Sequence, residues 1–264
     1  MALSHALPAL AATFALALPG LSSAQSRPAP PTSDPKAIEI AGKVMTTLGG
    51  ETAWNNTRFL RFTFAVDREG KTVASRDHTW DKWTGRYRLD ATDKEGKKVT
   101  VLMNVNTKEG KAAKDGSPLE GEALKKELDG AYGAWVNDTY WLLMPYKMTD
   151  PGVILKHEGE AKEGDVAYDK VRLSFEGVGL TPKDKYWAFV NRKTGLVDRW
   201  DFVLKGENKP PATFSWEGWK PYGKIQLAAE HKSKDGTRIY FPILDVPATV
   251  PDAVFTDFAA APAH

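Results

Sequence analysis

From Arg58 onward the chain alternates: Leu60, Phe62, Phe64 and Val66 fall on one side, Arg61, Thr63 and Ala65 on the other. A period of two sends successive side chains to opposite faces of a strand, so the pattern predicts a strand with one buried face. Alternation returns at Tyr87 and Leu89 and again at Val99, Val101, Met103 and Val105, while the run 73–83 between them is more polar and rimmed by Trp80 and Trp83. Turns at Glu69-Gly70, Thr84-Gly85 and Lys94-Glu95-Gly96 link these four runs into a predicted antiparallel meander. Beyond Asp150-Pro151-Gly152, strands are expected at 153–158, 168–175, 185–191, 196–204, 212–219, 225–232 and 237–241, with hairpin chemistry at 192–195 and 233–236.

Helical spacing interrupts this pattern twice. Asp34-Pro35 offers an N-cap followed by proline at the first helical position, and Ile38, Ala41, Met45 and Leu48 then recur at three- and four-residue spacing until Gly49-Gly50 stops them. Ser117-Pro118-Leu119-Glu120 reads as a capping box that starts a helix to about Tyr132, and Asn137-Asp138-Thr139 as the cap of a second, short helix over 140–144 that Pro145 ends. The stretch 135–152 is thus the apolar end of a helical interruption between two runs of strands. Such a segment either is buried by those strands or covers something that they enclose.

Composition narrows the classes. Lys and Arg number 36 against 34 Asp and Glu, a net charge of +2 that is too balanced for a nucleic-acid surface. The absence of cysteine removes disulfides, thiolate metal sites, thiol nucleophiles and a lipidated amino-terminal Cys. Residues 6–21 are apolar, and Ser22-Ser23-Ala24 suits signal peptidase cleavage before Gln25, although no Lys or Arg precedes the apolar run. The expected organisation is a signal peptide at 1–24, a Pro-rich linker at 25–34, a single domain at 35–258 and a tail at 259–264, placing the protein in the periplasm with no transmembrane span after cleavage.

Candidate chemistry is sparse. The histidines form no H-x-x-x-H or H-x-H pair, so no metal site and no cofactor are expected. His78 beside Asp77, Asp81 and Trp80 is the most site-like cluster; strand alternation puts His78 and Trp80 on one face and the aspartates on the other. The residues favour plain exposed polar positions on a sheet, with an enzyme using His78 and Asp77 or Asp81 as the alternative. Gly177-Val178-Gly179 runs into Thr181-Pro182 and reads as a turn, not a phosphate loop. The positive signal is aromatic: nine Trp, eight Tyr and eleven Phe sit mainly on strands or on the central stretch. They either fill a large β core or line a cavity that a curved sheet leaves unfilled; stacking on sugars keeps a carbohydrate-binding module open as well.

The order of elements, the motif W-V-N-D-T-Y-W-L-L-M-P-Y-K-M-T-D-P-G at 135–152, G-V-G-L-T-P-K-D-K-Y at 177–186 and the closing P-D-A-V-F at 251–255 together resemble the LolA/LolB-like superfamily of periplasmic lipoprotein carriers, in an uncharacterised bacterial branch. The resemblance implies a mainly β fold with α, a strongly curved antiparallel sheet or unclosed β-barrel covered by a few helices. It implies no catalysis, a lipid or acylated protein as ligand, and a membrane-associated transport protein as a further partner. Helices at 35–48, 118–133 and 139–144 would be the lid, with Phe62, Phe64, Tyr87, Trp141 and Met144 as lining. Trp80, Trp135, Tyr140, Tyr186 and Trp200 complete the candidate ligand-binding set.

Overall fold

The computed structural model describes residues 32–260; the expected signal peptide, most of the linker and the last residues of the tail lie outside them. Helix α1 (Pro35–Thr47) starts as expected, with the Asp34 carboxylate accepting from the Lys36 amide at 2.8 Å. It buries Ala37, Ile40, Ala41 and Val44. Gly49 turns the chain out of it at φ +114°, a conformation that favours glycine, and a Cβ there would in addition lie 2.3 Å from the Lys224 carbonyl oxygen. A second helix, α2 (Gly50–Asn56), follows at once and buries Trp54; the sequence pattern did not predict it.

Strands β1 (Phe59–Arg68), β2 (Lys71–Asp81), β3 (Arg86–Thr92) and β4 (Lys98–Asn104) form the expected meander, and β5 (Gly110–Lys114) and β6 (Ser117–Pro118) extend it. Ser117 and Pro118 therefore belong to an edge strand and not to a helix cap. Helix α3 (Gly121–Leu143) starts after Glu120, whose side chain caps nothing, and it runs unbroken where two helices were expected. The supposed cap at 137–139 is internal to it. Thr139 Oγ1 donates back to the Trp135 carbonyl at 2.6 Å, and Asp138 turns away to partners in β2, so neither competes with the helix. A 3-10 turn, Met144–Lys147, ends the segment at Pro145.

The second strand series is β7 (Val153–Glu163), β8 (Val166–Phe175), β9 (Lys185–Asn191), β10 (Val197–Val203) and β11 (Ala212–Ser215), paired in sequence order as a five-stranded antiparallel sheet. The hairpin β12 (Lys220–Tyr222) and β13 (Ile225–Leu227) stands apart. Strands β14 (Glu230–Lys232), β15 (Arg238–Tyr240) and β16 (Leu244–Asp245) return to the first sheet, with β15 and β16 pairing the free edge of β1 to make nine strands. Isolated bridges, Phe214 to Ser233 and Glu217 to Glu230, join the two large sheets along one seam. The sheet is antiparallel and does not close into a barrel. At its far edge, Asp34 donates its amide to the Leu155 carbonyl at 2.9 Å, covering part of β7.

Both faces of β1 are covered. Leu60, Phe62 and Phe64 join the main core with α1 and the end of α3, whereas Phe59 packs outward on Val254 and Phe255 of the short helix α4 (Ala253–Thr256). Arg88, 4% exposed, fixes that closing segment by donating to the carbonyls of Val254, Asp257 and Phe258 at 3.0–3.2 Å.

Candidate functional site

The two ends of α3 sit on different ground. Its first half lays Leu124, Leu128, Ala131, Tyr132 and Trp135 over Tyr87, Leu89, Val99, Val101, Met103 and Ala112 of the first sheet, a closed apolar cluster. Its second half faces β9 and β10. There a cavity of about 360 Å³ remains. Its walls are Gly133, Val136, Tyr140 and Trp141 from the helix and Phe175, Tyr186, Trp200 and Phe202 from the strands, with Val178, Leu180 and Leu204 at the rim. Leu180 is 56% and Leu204 43% exposed, so the rim presents apolar side chains to solvent. A wider and more open groove of about 660 Å³ lies on the other side of Trp141, reaching Phe64, Val66, Phe214 and Ile239. Asn137, Trp141 and Phe202 are common to both hollows.

The aromatic walls hold each other in place. Tyr186 stands between Tyr140 at 5.1 Å and Trp200 at 5.0 Å, and Trp141 meets Trp200 edge-on at 4.7 Å and Phe214 at 5.0 Å. Tilted and edge-to-face arrangements are the ones aromatic rings favour, so the walls brace one another. Polar groups are few and mostly engaged. Asp184, 4% exposed, accepts from the Lys205 amide at 2.6 Å and from Thr181 Oγ1, tying the two rim loops together. Burial raises the Tyr140 pKa well above that of an ordinary phenol, and the neighbouring Tyr186, Asp150 and Asp184 raise it further. Burial and then Asp184 do the same to Tyr186. Both stay protonated.

Four of the ten candidate residues, Tyr140, Trp141, Tyr186 and Trp200, therefore line the cavity, and Phe64 lines the groove with Trp141. Phe62, Tyr87 and Met144 are at most 1% exposed and lie in the packed core. Trp80 and Trp135 meet edge-on at 5.3 Å against the closed cluster. Sequence reasoning missed Phe175, Phe202 and the rim leucines. Phe202 was within reach, since it stands two residues from Trp200 on one strand face; Leu180 lies in a glycine-rich turn that carries no periodic signal.

His78 is not the exposed surface residue that the pattern favoured: it is 1% exposed. Its Nδ1 lies 2.7 Å from the Tyr87 hydroxyl and its Nε2 3.0 Å from Asp138 Oδ2. Arg76 completes the group with two hydrogen bonds to Asp138 at 2.7 and 2.8 Å. Burial pushes the Asp138 pKa up, but the hydrogen bonds from His78 and Arg76 outweigh it and hold the carboxyl below its usual range. Neither aspartate beside His78 in sequence reaches it. Asp77 accepts from Thr63 Oγ1, and Asp81 pairs with Arg58 and Arg86. The group thus links β2, β3 and α3. The other buried histidine, His231, donates through Nδ1 to the Ser215 carbonyl at 3.0 Å, and burial lowers its pKa to about 4. Among the described residues no three His, Asp or Glu side chains gather as metal ligands, and no helix is long and apolar enough to cross a membrane.

No family model and no curated protein matches the chain in sequence. Solved structures do match in overall course. A DUF1329 family protein from Desulfovibrio piger is 11% identical, covering 84% of this chain and 98% of its own, with a TM-score of 0.49. A LolA superfamily protein from Nitrosomonas europaea is 10% identical over 84% and 97%, TM-score 0.47. An outer membrane lipoprotein-sorting protein domain from Vibrio parahaemolyticus is 11% identical over 83% and 96%, TM-score 0.41.

Proposed function

We propose that the protein binds a hydrophobic or acylated ligand, a lipid or the acyl part of a lipoprotein, in the cavity under the second half of α3, and does so in the periplasm without chemistry. The observation that carries this reading is the cavity itself: about 360 Å³, within the usual range for ligand sites, walled by aromatic rings and rimmed by exposed leucines. A sugar would ask for many free donors and acceptors, but the walls are mostly aromatic and aliphatic and the buried carboxylate there, Asp184, is taken up by its own loops. Catalysis through His78 finds no support: its ring is buried against Tyr87 and Asp138, and Asp77 and Asp81 are engaged by Thr63 and by Arg58 and Arg86.

Each buried methylene contributes about 0.8 kcal/mol, close to a fourfold gain in affinity. Alkyl esters of increasing length, followed by tryptophan fluorescence, are thus expected to bind more tightly by about that factor per carbon until the cavity is full. Gly133 supplies the control. A Cβ there meets nothing within 4 Å, and Gly133 sits on the cavity wall inside a helix. Gly133→Leu is expected to abolish binding while raising stability by about 0.5–1 kcal/mol through helix propensity. Undiminished binding by this stable variant, or no length dependence, would refute the site.

A further inference from the structure

We infer that the cavity selects an acyl chain bearing a neutral carbonyl, an ester or an amide, over a bare hydrocarbon and over a fatty-acid carboxylate. The inference rests on the binding role proposed above and adds to it the polar head of the ligand. Two wall residues carry it. The Trp200 indole N–H and the Tyr140 hydroxyl are both buried and both lack a hydrogen-bond partner, and the Trp200 side chain is 1% exposed. Their rings lie 5.8 Å apart with Tyr186 packed against both. A buried donor without an acceptor is costly, and an indole N–H can only donate. Two such groups beside one cavity suit a ligand oxygen with two lone pairs, as a carbonyl has. Trp80, Trp135 and Trp216 also keep unpartnered N–H groups, but they line neither hollow.

The sign of the local charge decides between carbonyl types. Asp184 is buried at the wall with the Tyr186 hydroxyl 3.4 Å from its Oδ2. Together with Asp150 it opposes negative charge at Tyr140. A carboxylate head in that place would meet the same opposition, whereas an ester or amide oxygen would not. The one cation on the wall, Lys205, belongs to the rim beside exposed Leu204 and so offers a carboxylate a place at the mouth, not in the interior.

Methyl decanoate, decanoate and decane, titrated into wild type, Tyr140→Phe and Trp200→Phe at pH 8 with displacement of an uncharged apolar dye as readout, separate the possibilities. The expected result is that each variant weakens methyl decanoate about five- to tenfold more than it changes decane. Tyr140→Phe is also expected to raise the melting temperature of the free protein, because it removes an unpaired buried hydroxyl; this readout stands even if Trp200→Phe folds poorly. Equal effects on ester and alkane would overturn the inference while leaving the binding site intact. So would decanoate binding more tightly than its ester and losing that advantage in Lys205→Met. If none of the three displaces the dye, the binding role falls and this inference with it.

Discussion

One helix, α3, covers both sheets, and what lies beneath its two halves differs. Under the first half, Val99, Val101 and Met103 rise from β4 to meet Leu124, Leu128 and Trp135, and the space is filled. Under the second half, the strands offer Tyr186, Trp200 and Phe202, rigid flat groups that brace one another, while the helix offers Gly133. Under the first half the aliphatic chains and the Trp80–Trp135 pair close on one another, whereas under the second half the helix presents Gly133 opposite the rings and space remains. Large apolar residues can thus build a core or a container, depending on where the small residue stands among them.

The contrast can be tested at the tie between α3 and the first sheet. Asp138 stands between the cavity-wall residues Val136 and Tyr140 and holds Arg76 and His78 of β2, both largely out of solvent. Asp138→Ala leaves two donors without their acceptor and is expected to cost about 3–5 kcal/mol in denaturant unfolding, more than any change within either half. Because the Asp138 pKa is lowered on folding, its contribution is present above the ordinary carboxylate range and fades as the pH falls below it.

Within the halves, Trp135→Ala should cost about 3 kcal/mol and leave ligand binding unchanged, as expected of a packed core. Uptake lost in that variant would erase the distinction between core and container. His231, 5.5 Å from the wall residue Trp141, sharpens the other side. Its pKa of about 4 lies below that of an unfolded histidine, so the unfolded chain binds the proton first and stability falls as the pH drops. Between pH 7 and pH 5 the loss should be about 2 kcal/mol, and His231→Gln should flatten that slope in calorimetry. The smallest effect belongs to Trp141, the wall between cavity and groove. Trp141→Ala should weaken binding about tenfold, near 1.4 kcal/mol, by merging the two hollows.

Much of the fold was legible because it rests on local pattern. The start of α1 at Asp34-Pro35 and the strand Lys185–Asn191 follow from capping chemistry and alternation between turns. What was misread depends on distant partners. Asn137-Asp138-Thr139 has every mark of a helix cap, yet Asp138 is claimed by Arg76, 62 residues away, and the helix passes through. Ser117-Pro118 carries the same false signal because β5 offers it an edge to pair. The site was legible in its aromatic content but not in its selection. Phe62, Tyr87 and Trp200 look alike in sequence, and only the third borders empty space.

The pairing of β1 has a consequence for how the chain must be put together. One of its edges takes up β2 across a two-residue turn, but the other waits for Ala65 to meet Tyr240 and Arg61 to meet Asp245. The five-stranded sheet, by contrast, is woven from consecutive segments and can assemble as they are made. On a chain delivered from its amino terminus, a bare, hydrogen-bonding strand edge is thus carried through most of synthesis and covered last. Chains cut short before residue 238 should accumulate as aggregates, with the amino-terminal meander as the sticky part, and not as smaller soluble folds.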